Sequence, residues 1–236
     1  MDTGNQGKVL LITGASTGIG EATARRAVGA GWNVVLAARS TNRLEALATE
    51  LGSAHALAVT CDVADWEAQR EMVRSALERF GKIDAAFANA GFSKGSSFYG
   101  GEDKPDEWRE MVLANVYGAA ATARLVLPEL VRTKGHFLIT GSVVGRTTSV
   151  RNLYSATKWA VTGMAQAIRN EMSGTGIRVT LVEPGIVDTP FWDHLQKPSS
   201  AGLQPDDIAR AVIFAIGQPP HVDVNEILIR PTGQPL

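Results

Sequence analysis

The sequence predicts an α/β fold, a doubly wound parallel sheet with helices on both faces, formed as a single domain over residues 1–236. Three observations predict it. Short apolar runs alternate with helix-length segments from one end of the chain to the other. Most of the runs are continuously apolar, the pattern of strands buried on both faces. No linker, repeat or low-complexity tract interrupts the alternation, and 236 residues are enough for one large α/β domain.

The strand candidates are residues 9–12, 34–37, 56–59, 85–88, 137–139, 179–182 and 227–229. Between them, an Ala-rich helix runs to about residue 30, and segments 43–51, 66–80 and 206–216 have helix-favouring composition. A longer helical region spans roughly residues 105–131.

Composition excludes several classes. Lys plus Arg is 23 and Asp plus Glu is 24, a net charge of -1. That balance lacks the basic excess of a general nucleic-acid binder. No apolar run reaches the ~18 residues of a membrane span. The first eight residues are polar and hold no signal-like apolar segment. Cys61 is the sole cysteine, so no intrachain disulfide forms and a reducing cytoplasm is expected. His55, His136, His194 and His221 are scattered without ligand spacing, so no metal site is expected.

In such sheets ligands bind beyond the carboxyl ends of the strands, and unusual residues cluster there. The first strand runs into Thr13-Gly14-Ala15-Ser16-Thr17-Gly18-Ile19-Gly20 and then a helix. Glycines permit the tight turn and close approach to a pyrophosphate, and the helix start offers unpaired N–H groups. A glycine-rich turn without a ligand is the plainer reading; the strand-turn-helix context favours a nucleotide site of the Rossmann type. After the second strand stand Ala38, Arg39 and Ser40, where an Asp or Glu would meet a free ribose 2′-hydroxyl. A guanidinium there suits a 2′-phosphate, so NADP(H) is expected, with Ser40 adding a hydrogen bond. Thr17 is neutral, which leaves Arg39 carrying that preference nearly alone. The alternative is a solvated surface arginine.

The third strand ends at Cys61-Asp62-Val63. Asp62 can accept from an adenine amino group or cap the helix beginning near Asp65. The fourth ends at Asn89-Ala90-Gly91, where Asn89 can brace the sheet edge. Asn115 interrupts a helix, a poor place for Asn unless the amide is satisfied or used. The fifth strand delivers Ser142 twelve residues before Tyr154. Tyr154 and Lys158 are four apart, so on a helix they share one face, and a nearby cation is expected to draw the phenol below its ordinary pKa of about 10.

These residues together resemble the short-chain dehydrogenase/reductase family. The resemblance runs from Lys8 to about Arg230 and rests on Gly14-x-x-x-Gly18-x-Gly20, Asn89-Ala90-Gly91, Asn115, Ser142, Tyr154-x-x-x-Lys158 and Pro184-Gly185. It implies an NADP(H)-dependent carbonyl reductase or alcohol dehydrogenase with small-molecule substrates, usually a homodimer or homotetramer. It implies that Tyr154 is the general acid-base, that Ser142 orients the substrate oxygen, and that Lys158 bonds the nicotinamide ribose. Asn115 would hold a water in a proton relay to Lys158. The cofactor set it implies is Gly14, Ser16, Thr17, Gly18, Ile19, Gly20, Arg39, Ser40, Asp62, Val63, Asn89, Ala90, Gly91, Pro184, Gly185, Val187 and Thr189, with Tyr154 and Lys158. The long helices would form the subunit contact, where Ala119, Ala120, Ala123, Ala160 and Gly163 permit close approach or serve packing within one subunit.

Substrate identity is expected in the loops at 91–100, 143–146 and 191–194. Phe191 and Trp192 read either as an apolar lid or as a short helix packed into the core. Arg146 and Arg151 can clasp a substrate carboxylate or bind neighbouring chain. Two other classes compete: a non-catalytic NADP(H)-binding sensor, and an epimerase-like reaction on the same frame. Keeping Ser142, Tyr154 and Lys158 together favours the oxidoreductase.

Overall fold

The computed structural model describes residues 5–94, 97–99, 104–147, 153–193, 195 and 202–234. Arg151, His194 and part of the 91–100 loop therefore lie outside the described residues.

Seven parallel strands form one sheet in the order β3-β2-β1-β4-β5-β6-β7. They are β1 (Val9–Thr13), β2 (Asn33–Ala38), β3 (Ala56–Thr60), β4 (Ala85–Ala88), β5 (His136–Thr140), β6 (Arg178–Pro184) and β7 (Glu226–Ile229). Side chains alternate across a strand, and β1 shows the consequence. Val9 and Leu11 join the core on one face with Met72, Val126, Phe137 and Val161. Leu10 and Ile12 join the core on the other with Leu36, Leu44, Phe87, Leu138 and Val212. Burial on both faces explains why the strands read as unbroken apolar runs.

Helices α1 (Gly18–Gly29), α2 (Thr41–Leu51) and α7 (Pro205–Ile216) contribute to the second core, and α3 (Trp66–Phe80), α5 (Ala119–Thr133) and α6 (Leu153–Glu171) to the first. Asp65 caps α3 by accepting from Glu67 N at 2.8 Å and Ala68 N at 3.2 Å, and Gly81 ends it in the left-handed region at φ 74°. At the head of α7 the Asp207 carboxylate accepts from Gln204 N at 2.8 Å.

The long helical region is not uniform. It comprises α4 (Pro105–Val112), a π turn (Leu113–Gly118) and α5, so Asn115 sits in the π segment. A π turn inserts one residue and marks a place where helix geometry serves a local purpose. By length and composition this 29-residue helix could cross a bilayer. Here Met111, Ala121, Val126 and Leu130 along it are buried in the fold.

The chain moves outward in opposite directions from β1 and β4, so their carboxyl ends flank a crevice, the usual ligand position in a doubly wound sheet.

Candidate active site

A cleft of about 830 Å³ lies at this carboxyl edge, walled by the turn after β1 at one end and by Ser142, Tyr154 and Phe191 at the other. Of the nucleotide-site candidates, all but Gly20 line it. Gly20 acts from behind: a Cβ there would stand 2.3 Å from Gly14 O, so its absence lets α1 seat against the turn. Gly14 and Gly18 have φ of 66° and 58°, and Gly14 passes so close to Ala90 that a Cβ would lie 2.9 Å from Ala90 Cα. Thr17 flanks α1 without a side-chain cap bond, so the helix start presents free N–H groups beside the cleft.

Arg39 and Ser40 stand where expected, on the exposed rim. Arg43, from the first turn of α2, joins them in the wall. The expectation that Arg39 stands nearly alone is corrected: a second guanidinium faces the same space. Asp62 lines the cleft and accepts from Ala64 N at 2.9 Å. The capping alternative for Asp62 is overturned, because Asp65 fills that place.

Asn89 braces the sheet. Its amide donates to Thr13 O at 3.1 Å, and its Oδ1 accepts from Thr140 Oγ1 at 3.1 Å, tying β1, β4 and β5 together. Asn115 does not reach the cleft wall. It donates to Phe92 O at 2.9 Å and Thr157 Oγ1 at 3.1 Å, and accepts from Phe92 N at 3.0 Å. A Cβ on Gly91 would lie 3.0 Å from Asn115 Oδ1 and 3.7 Å from Lys158 Nζ, so both groups stand close beside Gly91.

Ser142 opens a short 3-10 turn, Val143–Gly145, with its Oγ accepting from Val144 N at 3.3 Å and donating to Pro184 O at 3.4 Å. The Ser142 hydroxyl stands close enough to the Tyr154 phenol to favour its ionised form. Lys158 lies one turn along α6, its Nζ 5.6 Å from the Tyr154 ring centre and donating to Thr140 O at 2.7 Å.

Electrostatics correct one expectation. Burial pushes the Tyr154 phenol above its ordinary pKa, and the opposing influence is the Ser142 hydrogen bond rather than the lysine. Burial also lowers the Lys158 ammonium to about 8. A lysine that is partly neutral near physiological pH has less charge with which to stabilise a phenolate.

Phe191 and Trp192 form a 3-10 turn, Pro190–Trp192, and are only partly buried. The Phe191 ring is 5.5 Å from Tyr154 and 5.2 Å from Trp192, whose indole donates to Val187 O at 2.8 Å. The pair lines the cleft instead of packing into the core, which overturns the core-helix alternative. Thr189 accepts from Phe191 N at 3.3 Å, and a Cβ on Gly18 would stand 3.1 Å from its methyl group.

Arg146 is not free for a substrate. Its guanidinium binds Glu183 at 2.7 and 2.8 Å and also contacts Glu226. Ala114, Ile186 and Leu195 also line the wall without having been singled out in the sequence, as does Gln234, whose Oε1 accepts from Ile186 N at 2.9 Å. The only signal for Gln234 was its place in a tail after the last strand.

The family model described as short chain dehydrogenase matches residues 8–199. An uncharacterised oxidoreductase of Staphylococcus aureus (strain USA300) is 37% identical over 226 residues, covering 95% of this chain and 97% of that protein. Another, from Listeria monocytogenes, is 36% identical over 244 residues, covering 97% and 98%. Among solved structures, the alcohol dehydrogenase of Thermococcus sibiricus, complexed with 5-hydroxy-NADP, is 35% identical with a TM-score of 0.88, covering 97% of this chain and 98% of that one. A closed form of serine dehydrogenase complexed with NADP+ is 31% identical with a TM-score of 0.91, covering 97% and 96%.

Proposed function

The chain belongs to the short-chain dehydrogenase family, and on that footing we propose that it is an NADP(H)-dependent oxidoreductase interconverting a ketone or aldehyde with its alcohol. The observation that carries the reading is the meeting of Ser142, Tyr154 and Lys158 in the wall of one nucleotide-sized cleft, with the Lys158 ammonium 5.6 Å from the Tyr154 ring centre.

The residues present suit the cofactor. The turn at Gly14–Gly20 and the start of α1 would hold the pyrophosphate. Arg39, Arg43 and Ser40 would hold a 2′-phosphate, a role for which paired guanidinium groups are chemically apt. Asp62 and Val63 would meet the adenine, and Ala90, Gly91, Pro184, Gly185, Val187 and Thr189, which line the same cleft, would meet the nicotinamide half. When bound, the nicotinamide supplies or accepts the hydride.

The chain's own residues handle the oxygen and its proton. In reduction, charge builds on the carbonyl oxygen, and the Ser142 and Tyr154 hydroxyls converge on it as donors. Tyr154 gives the proton. Its raised pKa keeps the phenol protonated at neutral pH, so it is loaded for that step. A positioned donor of this kind contributes roughly 10²–10⁴ in rate. Lys158 would bond the ribose, and Asn115, close to it beside Gly91, would hold a water through which Tyr154 is reprotonated. Phe191 and Trp192 cover the reacting end and exclude solvent.

We read residues 1–236 as one catalytic unit in a reducing cytoplasm, where the lone, buried Cys61 stays reduced. We also propose self-association. Val112, Tyr117, Val131 and Trp159 are large exposed apolar residues on α4, the π turn, α5 and α6. Ala120, Ala160 and Gly163 are exposed, while Ala119 and Ala123 pack within the subunit. The first face suits a homodimer. Phe214 and Leu228, exposed on α7 and β7, suit the second contact of a tetramer.

The test is NADPH oxidation against a panel of ketones and aldehydes, with cofactor fluorescence in parallel. Binding with turnover is expected. Binding without turnover on any substrate would favour a sensor, and no binding would refute the cofactor assignment.

A further inference from the structure

Glu183 has no exposed surface, yet it carries a carboxylate. Its two oxygens accept from Arg146 Nε at 2.7 Å and Nη2 at 2.8 Å, and the same guanidinium contacts Glu226 on β7. Buried ion pairs are a poor source of stability: desolvation offsets most of the attraction, and apolar replacements are often tolerated. The cluster therefore calls for a geometric reason.

Its position supplies one. Arg146 closes the 3-10 turn that Ser142 opens, with Arg146 N donating to Val143 O at 3.1 Å. Glu183 immediately precedes Pro184, whose carbonyl accepts from Ser142. The backbone before Ser142 lies on the Glu183 stem, where a Cβ on Gly141 would stand 3.0 Å from Glu183 Cγ. On its other side the turn presses on α6: Thr162 Oγ1 donates to Gly145 O at 3.3 Å, and a Cβ on Gly145 would stand 2.8 Å from Lys158 O. The turn is thus gripped between β6 and the helix that bears Tyr154.

We propose that Arg146, Glu183 and Glu226 are positioning residues that hold the Ser142 turn so that its hydroxyl faces Tyr154. The catalytic consequence rests on the proposed role of Ser142; the geometric claim does not. A rigid bidentate fork fixes both distance and orientation, which a lysine or a single hydrogen bond does not. The same bonds withdraw Arg146 from the substrate, so it does not recognise a substrate carboxylate.

The test compares wild type with Arg146→Met/Glu183→Met, Arg146→Lys and Glu226→Gln. The double variant removes both charges while keeping apolar bulk, so its thermal midpoint and NADPH affinity should stay close to wild type. Its kcat should fall about 10- to 100-fold, the scale of a catalytic group displaced by about an ångström, with KM for NADPH little changed. Arg146→Lys should retain more turnover than the double variant. A crystal structure of the double variant, read for the separation of the Ser142 and Tyr154 hydroxyls, gives a readout independent of turnover. That separation should widen by about an ångström in the double variant. If the wild type reduces no carbonyl, this comparison still tests the positioning claim. Should the double variant not fold, Arg146→Lys and Glu226→Gln carry the same two measurements. Wild-type kcat together with an unchanged Ser142–Tyr154 separation in the folded variants would overturn the proposal.

Discussion

Lys158 faces Tyr154 across one helical turn, its ammonium 5.6 Å from the ring centre, while its hydrogen bond goes to the Thr140 carbonyl at 2.7 Å. The pair shares a helix face, yet burial dominates both groups, raising the phenol and lowering the ammonium to about 8. The first prediction concerns what this arrangement costs.

Between about pH 8 and 10.5 the unfolded chain holds a proton on residue 158 that the folded chain has released. Stability therefore rises with pH across that window, and the full penalty of the buried lysine is present below pH 8. Lys158→Met should be more stable than wild type at pH 7, by up to about 3 kcal/mol, while losing turnover. Urea unfolding at pH 7 and pH 10 checks this, and the difference should shrink at the higher pH.

His136 gives an effect at the opposite end of the pH range. Burial first, and Arg178 second, lower its imidazole to about 3. Its Nε2 bonds Thr180 Oγ1 at 2.7 Å, and Nδ1 has no partner among the described residues. The unfolded imidazole takes a proton near pH 6.5, the folded one near 3, so stability should fall as pH drops through that interval. The loss is about 5 kcal/mol at most. His136→Gln, which cannot charge, should flatten the acid limb in thermal unfolding.

Arg39→Ala and Arg43→Ala should each weaken NADPH by about 10- to 100-fold, the worth of a charge-assisted hydrogen bond. NADH affinity should change little. Fluorescence titration with both cofactors checks this; equal losses for the two would remove the 2′-phosphate role.

Phe191→Ala should raise KM for bulky apolar carbonyls by about 5- to 10-fold through the lost aromatic contact. NADPH affinity should hold. Steady-state kinetics on a small and a large ketone separate the two effects.

The sequence made the strands and the glycine turn legible because both follow from local rules: unbroken apolar runs, and a turn that only glycine can make at Gly14 and Gly18. It also brought Ser142, Tyr154 and Lys158 to one cleft, since strand ends and helix spacing are readable along the chain. For Arg146 the sequence offered binding to neighbouring chain, which the structure bears out, but it did not show which residues it binds. Its partners, Glu183 and Glu226, are 37 and 80 residues away, and only β6–β7 pairing brings them together. Arg43 and Gln234 were missed for the same reason, since the tilt of α2 and the course of the tail after β7, which bring them to the cleft, are encoded by no local pattern. The direction of the Tyr154 shift was misjudged because depth of burial, which decides it, is a tertiary property.

The most direct measurement is turnover and NADPH binding by Tyr154→Phe, which removes one oxygen and leaves the ring beside Phe191 in place. The expected result is NADPH affinity near wild type with kcat lowered by about 10²–10⁴. Carbonyl reduction at the wild-type rate by that variant would contradict the assignment of Tyr154 as the proton donor, and with it the proposed chemistry of this cleft.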